Sequence, residues 1–156
     1  MRIIGIDPGY DRLGIAVVEQ TSQKETLIHS ECFQTDATLP FAERLHKCGS
    51  RIAEIITQYT PAHLALENVF FNTNQKTAMD VAAVRGAVLY VARTHNLTTF
   101  EYTPPQIKAA IAGSGRGTKK DIIAMLEHLI VINTTIAFDD EYDAIAVALT
   151  HSAIHR

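Results

Sequence analysis

Arg2-Ile3-Ile4-Gly5-Ile6-Asp7-Pro8-Gly9-Tyr10-Asp11-Arg12-Leu13-Gly14-Ile15-Ala16-Val17-Val18 sets two apolar runs on either side of a turn. Ile3 to Ile6 reads as a strand buried on both faces, Pro8-Gly9 stops it, and Leu13 to Val18 reads as a second strand returning beside it. The hairpin carries an acid at its bend. Asp7 closes a hydrophobic strand, so rigid backbone holds its carboxylate, and a glycine leaves room beside it for a metal or a phosphate. An aspartate at a turn can also bond the turn's own N–H groups. The other acids of the chain must decide between the two readings.

The 156 residues fit one domain, 1–156, with room for a proper core. A hydrophobic content of 47% with 20% charged residues is ordinary for a soluble globular protein. No apolar run approaches the ~18 residues of a membrane span, and the N-terminus enters a strand directly without the parts of a signal peptide. A cytoplasmic protein is expected. Cys32 and Cys48 have neither C-x-x-C nor zinc-finger spacing and read as reduced, partly buried thiols. The formal charge of -3 argues against coating nucleic acid by bulk electrostatics. Yet Lys108, Arg116, Lys119 and Lys120 fall in a stretch, Pro104 to Lys120, that holds no acid, so local binding is open.

Further along, Glu25 to Phe33 reads as a third antiparallel strand. Thr38 is expected to cap a helix with Pro40 in its first turn and Phe41, Leu45, Cys48, Ile52, Ile55, Ile56 and Tyr59 at helical spacing. His63 to Glu67 is a short buried strand that again finishes in a carboxylate. A helix from Gln75 to His95 is rich in small residues, and Thr98 to Tyr102 is a fifth strand. Thr103-Pro104-Pro105 starts a short helix ending near Gly113, and Thr118 with Asp121 makes a near capping box for the next. Residues 131–137 read as loop, and Phe138 to Leu149 as a closing helix with an acidic start. The order of elements predicts an α/β fold: a mixed five-stranded sheet, three antiparallel strands then parallel ones, flanked by helices.

Asp7 and Glu67 end two strands that become neighbours if the fourth pairs with the first. Asp140 and Asp143, three apart on a helix, share a face. Four acids from three elements then converge. Such a cluster is costly because like charges in a poorly solvated site repel, and divalent cations remove that cost. Oxygen ligands without a nearby histidine or thiolate favour Mg²⁺ or Mn²⁺ over zinc. Two such ions about 4 Å apart suit in-line attack on a phosphodiester, so the acids point to hydrolysis of a nucleic-acid backbone. His151 shares a face with Asp140 but lies ~16 Å along the axis, too far to share a metal, and reads as structural.

Gly5-Ile6-Asp7-Pro8-Gly9, Leu66-Glu67-Asn68-Val69-Phe70, Ala83-Val84-Arg85-Gly86, Gly113-Ser114-Gly115-Arg116-Gly117-Thr118-Lys119 and Asp140-Glu141-Tyr142-Asp143-Ala144-Ile145-Ala146 resemble, in order and spacing, the RuvC family of Holliday-junction resolvases. The resemblance covers nearly the whole chain and implies a ribonuclease-H-like fold. It also implies that Asp7, Glu67, Asp140 and Asp143 are the metal-binding catalytic acids, with Mg²⁺ or Mn²⁺ as cofactor, two ions per site. Lys108 and Lys119 match lysines that act near the scissile phosphate, and Phe70 matches an aromatic that stacks on junction bases. Arg116 and Lys120 complete the expected DNA-binding set. The implied substrate is a four-way DNA junction, cut by paired symmetric nicks, and the implied partners are branch-migration proteins and a second copy of the chain. That homodimer is expected through the helix bearing Ala83, Gly86 and Ala87. Gly117 and Asp121 depart from the family's usual alanine and glutamine-like residues.

Other functions fit less well. The actin-like and sugar-kinase ATPases open on a similar hairpin but need two such domains, and 156 residues leave room for one. A non-catalytic partner protein with a decayed nuclease fold is opposed by the presence of all four acids. A related ribonuclease-H-like RNA-processing nuclease is the nearest enzyme rival.

Overall fold

The opening hairpin forms the middle of a six-stranded sheet. In the computed structural model, which describes residues 1–68, 75–114 and 118–155, β1 (Arg2–Asp7) pairs antiparallel with β2 (Arg12–Glu19), and β2 with β3 (Glu25–Gln34). After α1 (Phe41–Tyr59), β4 (His63–Glu67) pairs parallel with β1. After α2 (Gln75–Thr94), β5 (Thr98–Tyr102) pairs parallel with β4. The chain then runs through α3 (Pro104–Ala112), α4 (Lys119–Leu129), β6 (Ile130–Val131) and α5 (Asp139–Ile154), giving the strand order β5-β4-β1-β2-β3-β6.

The sixth strand corrects the expected five. Ile130 and Val131 pair in parallel with Glu25 and Thr26. The chain leaving α4 passes the outer edge of β3, and burying Ile130 there ties its backbone into the ladder. The segment read as loop therefore opens with a strand residue. A second correction concerns the start of α1. Thr38 does not cap it; its N–H and hydroxyl both donate to the Asp36 carboxylate, at 2.8 and 2.7 Å. Pro40 takes the cap position, and its carbonyl accepts from the N–H groups of Glu43 and Arg44.

Alternation along the strands divides the core in two. Ile4, Ile6, Ile15, Val17, Leu64 and Leu66 pack toward α1 and α2. Ile3, Ala16, Val18 and Ala65 pack toward α5, with α3 and α4 on the same side. The second set is small at the centre of the sheet. A β-carbon on Gly5 would strike the Ala144 carbonyl and lie 2.8 Å from the Ala148 Cβ, and one on Gly14 would strike the Asp140 carbonyl. Helix α5 thus lies directly on the main chain of β1 and β2.

The other helices are placed by their caps. Thr103 accepts from the Gln106 N–H while the Gln106 side chain accepts from the Thr103 N–H at 2.8 Å, starting α3. The Thr118 hydroxyl accepts from the Asp121 N–H at 3.3 Å and the Asp121 carboxylate accepts from the Thr118 N–H at 2.8 Å, starting α4. Asp121, the departure from the family pattern, is used by this cap. Arg44, buried in α1, donates to Asp11 at 2.6 Å and lies 4.0 Å from the Tyr10 ring centre, tying the hairpin turn to the helix below. Among the described residues no helix is long and apolar enough to cross a membrane, and Cys32 and Cys48 are free thiols.

At the far end of α5, His151 is fully buried, 2.8 Å from His63 Nδ1 and 2.7 Å from the Tyr102 hydroxyl. It is the structural histidine expected from its position.

Two expectations follow from these contacts. Gly5→Ala should cost about 3 kcal/mol or more in chemical denaturation, because the added methyl meets backbone and cannot be relieved by a rotamer. Burial, helped by His155 and His63, pushes His151 from its ordinary 6.5 down to about 4. Between those values the unfolded chain binds a proton that the folded one refuses. Stability should therefore be full above pH 6.5 and fall by about 2–3 kcal/mol as the pH drops toward 4. His151→Gln should flatten that limb of the stability curve.

Candidate active site

Ile6 pairs with Leu66 in the parallel register of β1 and β4, so the residues after them, Asp7 and Glu67, end adjacent strands at the same edge. Asp7 shares its strand face with Ile3 and Gly5, and Glu67 with His63 and Ala65, so both carboxylates stand on the side covered by α5. The turn beyond Asp7 is closed by main chain, the Gly9 N–H donating to the Asp7 carbonyl at 2.9 Å. Its carboxylate faces a cavity of ≈ 430 Å³ that Glu67, Asp143, Lys108 and Lys119 also line, with Pro104, Ile107, Ile122 and Ala146 completing the wall. Strand ends, the first turn of α4, α5 just beyond its first turn, and α3 supply these groups.

The site is short of positive charge. Burial and the neighbouring carboxylates of Glu67, Asp143 and Asp140 push Asp7 from its ordinary 3.8 up to about 8. Burial, with Asp143 second, raises Glu67. Burial also raises Asp143, against the pull of Lys119. Lys119 Nζ lies 3.1 Å from Asp143 Oδ2 and 3.4 Å from Asp139 Oδ2, while Asp139 itself is largely exposed. Lys120 is exposed on the same first turn of α4. Phe70 and Arg116 lie outside the described residues.

Asp140 stands beside the cavity without lining it. Its Oδ2 pairs with Arg12 at 2.6 Å and lies 3.7 Å from the Cys32 thiol. Sequence reasoning missed Arg12, whose only signal was its place at the start of the strand that returns from Asp7. It also missed Glu141, which is buried and holds the start of α5. The Glu141 carboxylate accepts from the Ala137 and Phe138 N–H groups at 3.0 and 3.1 Å and from the Ser30 hydroxyl at 2.6 Å. An acid on the first turn, three residues past the cap, was the available sign.

The donor chemistry fits a hard divalent ion. The cavity offers carboxylate oxygens with no imidazole or thiolate among its lining residues, the pattern that suits Mg²⁺ or Mn²⁺. Among the described residues no three His, Cys, Asp or Glu side chains are already arranged to hold an ion. Two of the four acids are turned toward cations of the chain itself, Arg12 and Lys119.

The family model for crossover junction endodeoxyribonuclease RuvC matches residues 3–151. The chain belongs to this family. Membership makes it an endodeoxyribonuclease that resolves Holliday junctions, with the ribonuclease-H-like fold that the motifs implied. The chain is similar to RuvC of Pelotomaculum thermopropionicum, 38% identical over 152 residues that cover 97% of this chain and 93% of the relative. RuvC of Halothermothrix orenii is 35% identical over 156 residues, covering 100% and 94%. Among solved structures, T. thermophilus RuvC in complex with Holliday junction substrate superposes with a TM-score of 0.92 at 32% identity, over 99% of this chain and 94% of that one. The yeast mitochondrial Holliday junction resolvase shares the fold, with a TM-score of 0.75 at 12% identity over 97% and 77%.

An acid held above its ordinary range opposes folding wherever the unfolded chain would ionise it. For Asp7 that penalty begins near pH 4 and grows toward pH 8. Asp7→Asn should therefore stabilise the protein in chelator at pH 7.5 by at least about 1 kcal/mol, an advantage that disappears near pH 4. Thermal unfolding at the two pH values measures it.

Proposed function

We propose that the chain resolves four-way DNA junctions by paired, symmetric hydrolytic nicks, with Asp7, Glu67, Asp140 and Asp143 holding divalent ions and Lys119 and Lys108 serving as cations at the scissile phosphate. The observation that carries this reading is the cavity in which Asp7, Glu67 and Asp143 face both lysines. The donor set favours Mg²⁺, two ions per site with Mn²⁺ as a substitute, and such ions supply Lewis acidity toward the phosphodiester and a more acidic water. The chain's own part is positional. The ends of β1 and β4 hold two carboxylates on rigid backbone, and α5 adds the other two from above. Lys119, already at the cavity, stabilises negative charge developing on the phosphate, and Lys108 adds a second positive charge from α3. Phe70, by stacking on bases, and Arg116 and Lys120, by phosphate contact, bind the junction around the site. The single nuclease domain, 1–156, acts in the cytoplasm alongside branch-migration proteins.

Symmetric nicking calls for two copies, since one acidic cluster makes one cut at a time and a two-fold axis matches the junction's symmetry. Helix α2 supports this assembly. It buries Val84, Val88 and Ala92 against the sheet and leaves Met79 and Tyr90 76% and 74% exposed. An apolar groove of ≈ 490 Å³ lies between α2 and α1, lined by Leu45, Gly49, Ala87, Tyr90 and Val91 among others. It is larger than the acid cavity but holds no carboxylate or lysine, so it suits a partner chain better than chemistry.

Asp7→Asn, Glu67→Gln, Asp140→Asn and Asp143→Asn should each lower junction cleavage by at least about 100-fold while leaving junction binding in place, and Asp139→Asn should stay active. Cleavage of a mobile four-way junction, linear duplex and structured RNA, each with Mg²⁺ or EDTA, tests the reading. Retained cleavage in any two acid variants, or a preference for RNA, sinks it. A β-carbon on Gly86 would meet nothing within 4 Å, so Gly86→Arg should fold, sediment as monomer where the wild type is a dimer, and uncouple the two nicks.

A further inference from the structure

Arg12 takes no part in the mechanism above, yet it makes the shortest ion pair at the site. Its Nη2 lies 2.6 Å from Asp140 Oδ2, the geometry of a charge-assisted hydrogen bond. Asp7, Glu67 and Asp143 line the acid cavity and Asp140 does not, although its charge still reaches Asp7. The Asp140 main chain cannot be what moves, because its carbonyl sits against Gly14. Only its side chain is free to choose between Arg12 and the cavity.

Arg12 is poorly placed for a structural role. Its side chain is 44% exposed, whereas Arg44, which anchors the same hairpin, is 5% exposed. Besides Asp140 and the nearby Cys32 thiol, it meets the Phe138 ring, 4.8 Å from the centroid. An ion pair this open is screened by solvent and contributes little to stability, so a divalent ion can displace it.

We propose that Arg12 is a positioning residue that competes with the divalent ion for Asp140, holding that carboxylate outside the cavity and releasing it as the ion enters. Arg12 thereby sets the ion concentration at which the site fills. The inference rests on the proposed role of Asp140 as an ion-holding acid.

The test is Mn²⁺ binding to the DNA-free protein, followed by calorimetry and by the electron paramagnetic resonance of unbound Mn²⁺. Arg12→Ala should bind Mn²⁺ about five-fold more tightly, the size of effect expected from losing one weak, solvent-screened competitor. In an Asp140→Asn background the same substitution should change affinity less than about two-fold. Arg12→Gln, which keeps part of the stem over Phe138, takes its place if circular dichroism shows that Arg12→Ala has not folded. Unchanged or weaker binding overturns the inference, as does equal tightening in the Asp140→Asn background, which would mark a bulk charge effect. A wild type that binds Mn²⁺, loses it with Asp7→Asn and ignores Arg12 overturns this inference alone. A wild type that binds no Mn²⁺ overturns the site reading with it.

Discussion

Helix α5 lies on the sheet with main chain against main chain, because the strand residues beneath it are Gly5, Gly14, Ala16 and Ala65 and its own inner face carries Ala144 and Ala148. A larger side chain in that layer would lift the helix and carry Asp140 and Asp143 away from Asp7. The close approach buries Asp7 and puts acids from two layers within electrostatic reach, and together burial and those acids push Asp7 up to about 8. The meeting of these acids is thus a packing consequence before it is an electrostatic one. Small residues at four strand positions decide whether the acids meet.

What the acids lack in counter-charge, the surrounding chain supplies unevenly. Lys119 lines the cavity and pairs with Asp143, so it lowers the local repulsion without leaving the site. Arg12 pairs with Asp140 from outside and draws it away. One cation therefore lines the cavity and the other pairs with an acid beside it. Glu141, between the two aspartates in sequence, is engaged by the cap and by Ser30. Four acids crowd the start of α5, at residues 139, 140, 141 and 143, and they serve distinct ends.

Much of this was legible in the order of residues because strand period and helix period are short-range. The hairpin, the pairing of β4 with β1, the Thr118–Asp121 capping box and the strand-end acids all follow from alternation, turn residues and spacing. What escaped depends on who arrives from far away. Thr38 carries an N-cap side chain, but Asp36 two residues earlier captures its hydroxyl, and Pro40 sits closer to the first turn. Val131 has the composition of a strand but gains one only because β3 offers an edge. Arg44 carries no local sign of burial, and only the fold brings Asp11, Thr35 and the Tyr10 ring around it. Asp140 was expected among the acids of the site, and it stands beside the cavity paired with Arg12, a partner 128 positions away that no local period reveals.

The Thr118–Asp121 cap has a further meaning for the lysine between them. Lys119 is the first residue of α4, and each residue of an α-helix turns the side-chain direction by about 100°. Starting the helix one residue later would leave Lys119 outside it, on main chain that helical geometry no longer holds. The reciprocal hydrogen bonds between Thr118 and Asp121 therefore act as an index mark for where the helix begins, with Lys119 the first residue inside it. Asp121, where the family usually has a glutamine-like residue, writes that mark with a carboxylate. A substitution that looks in sequence like a change of DNA contact is, in the folded protein, part of what aims the lysine.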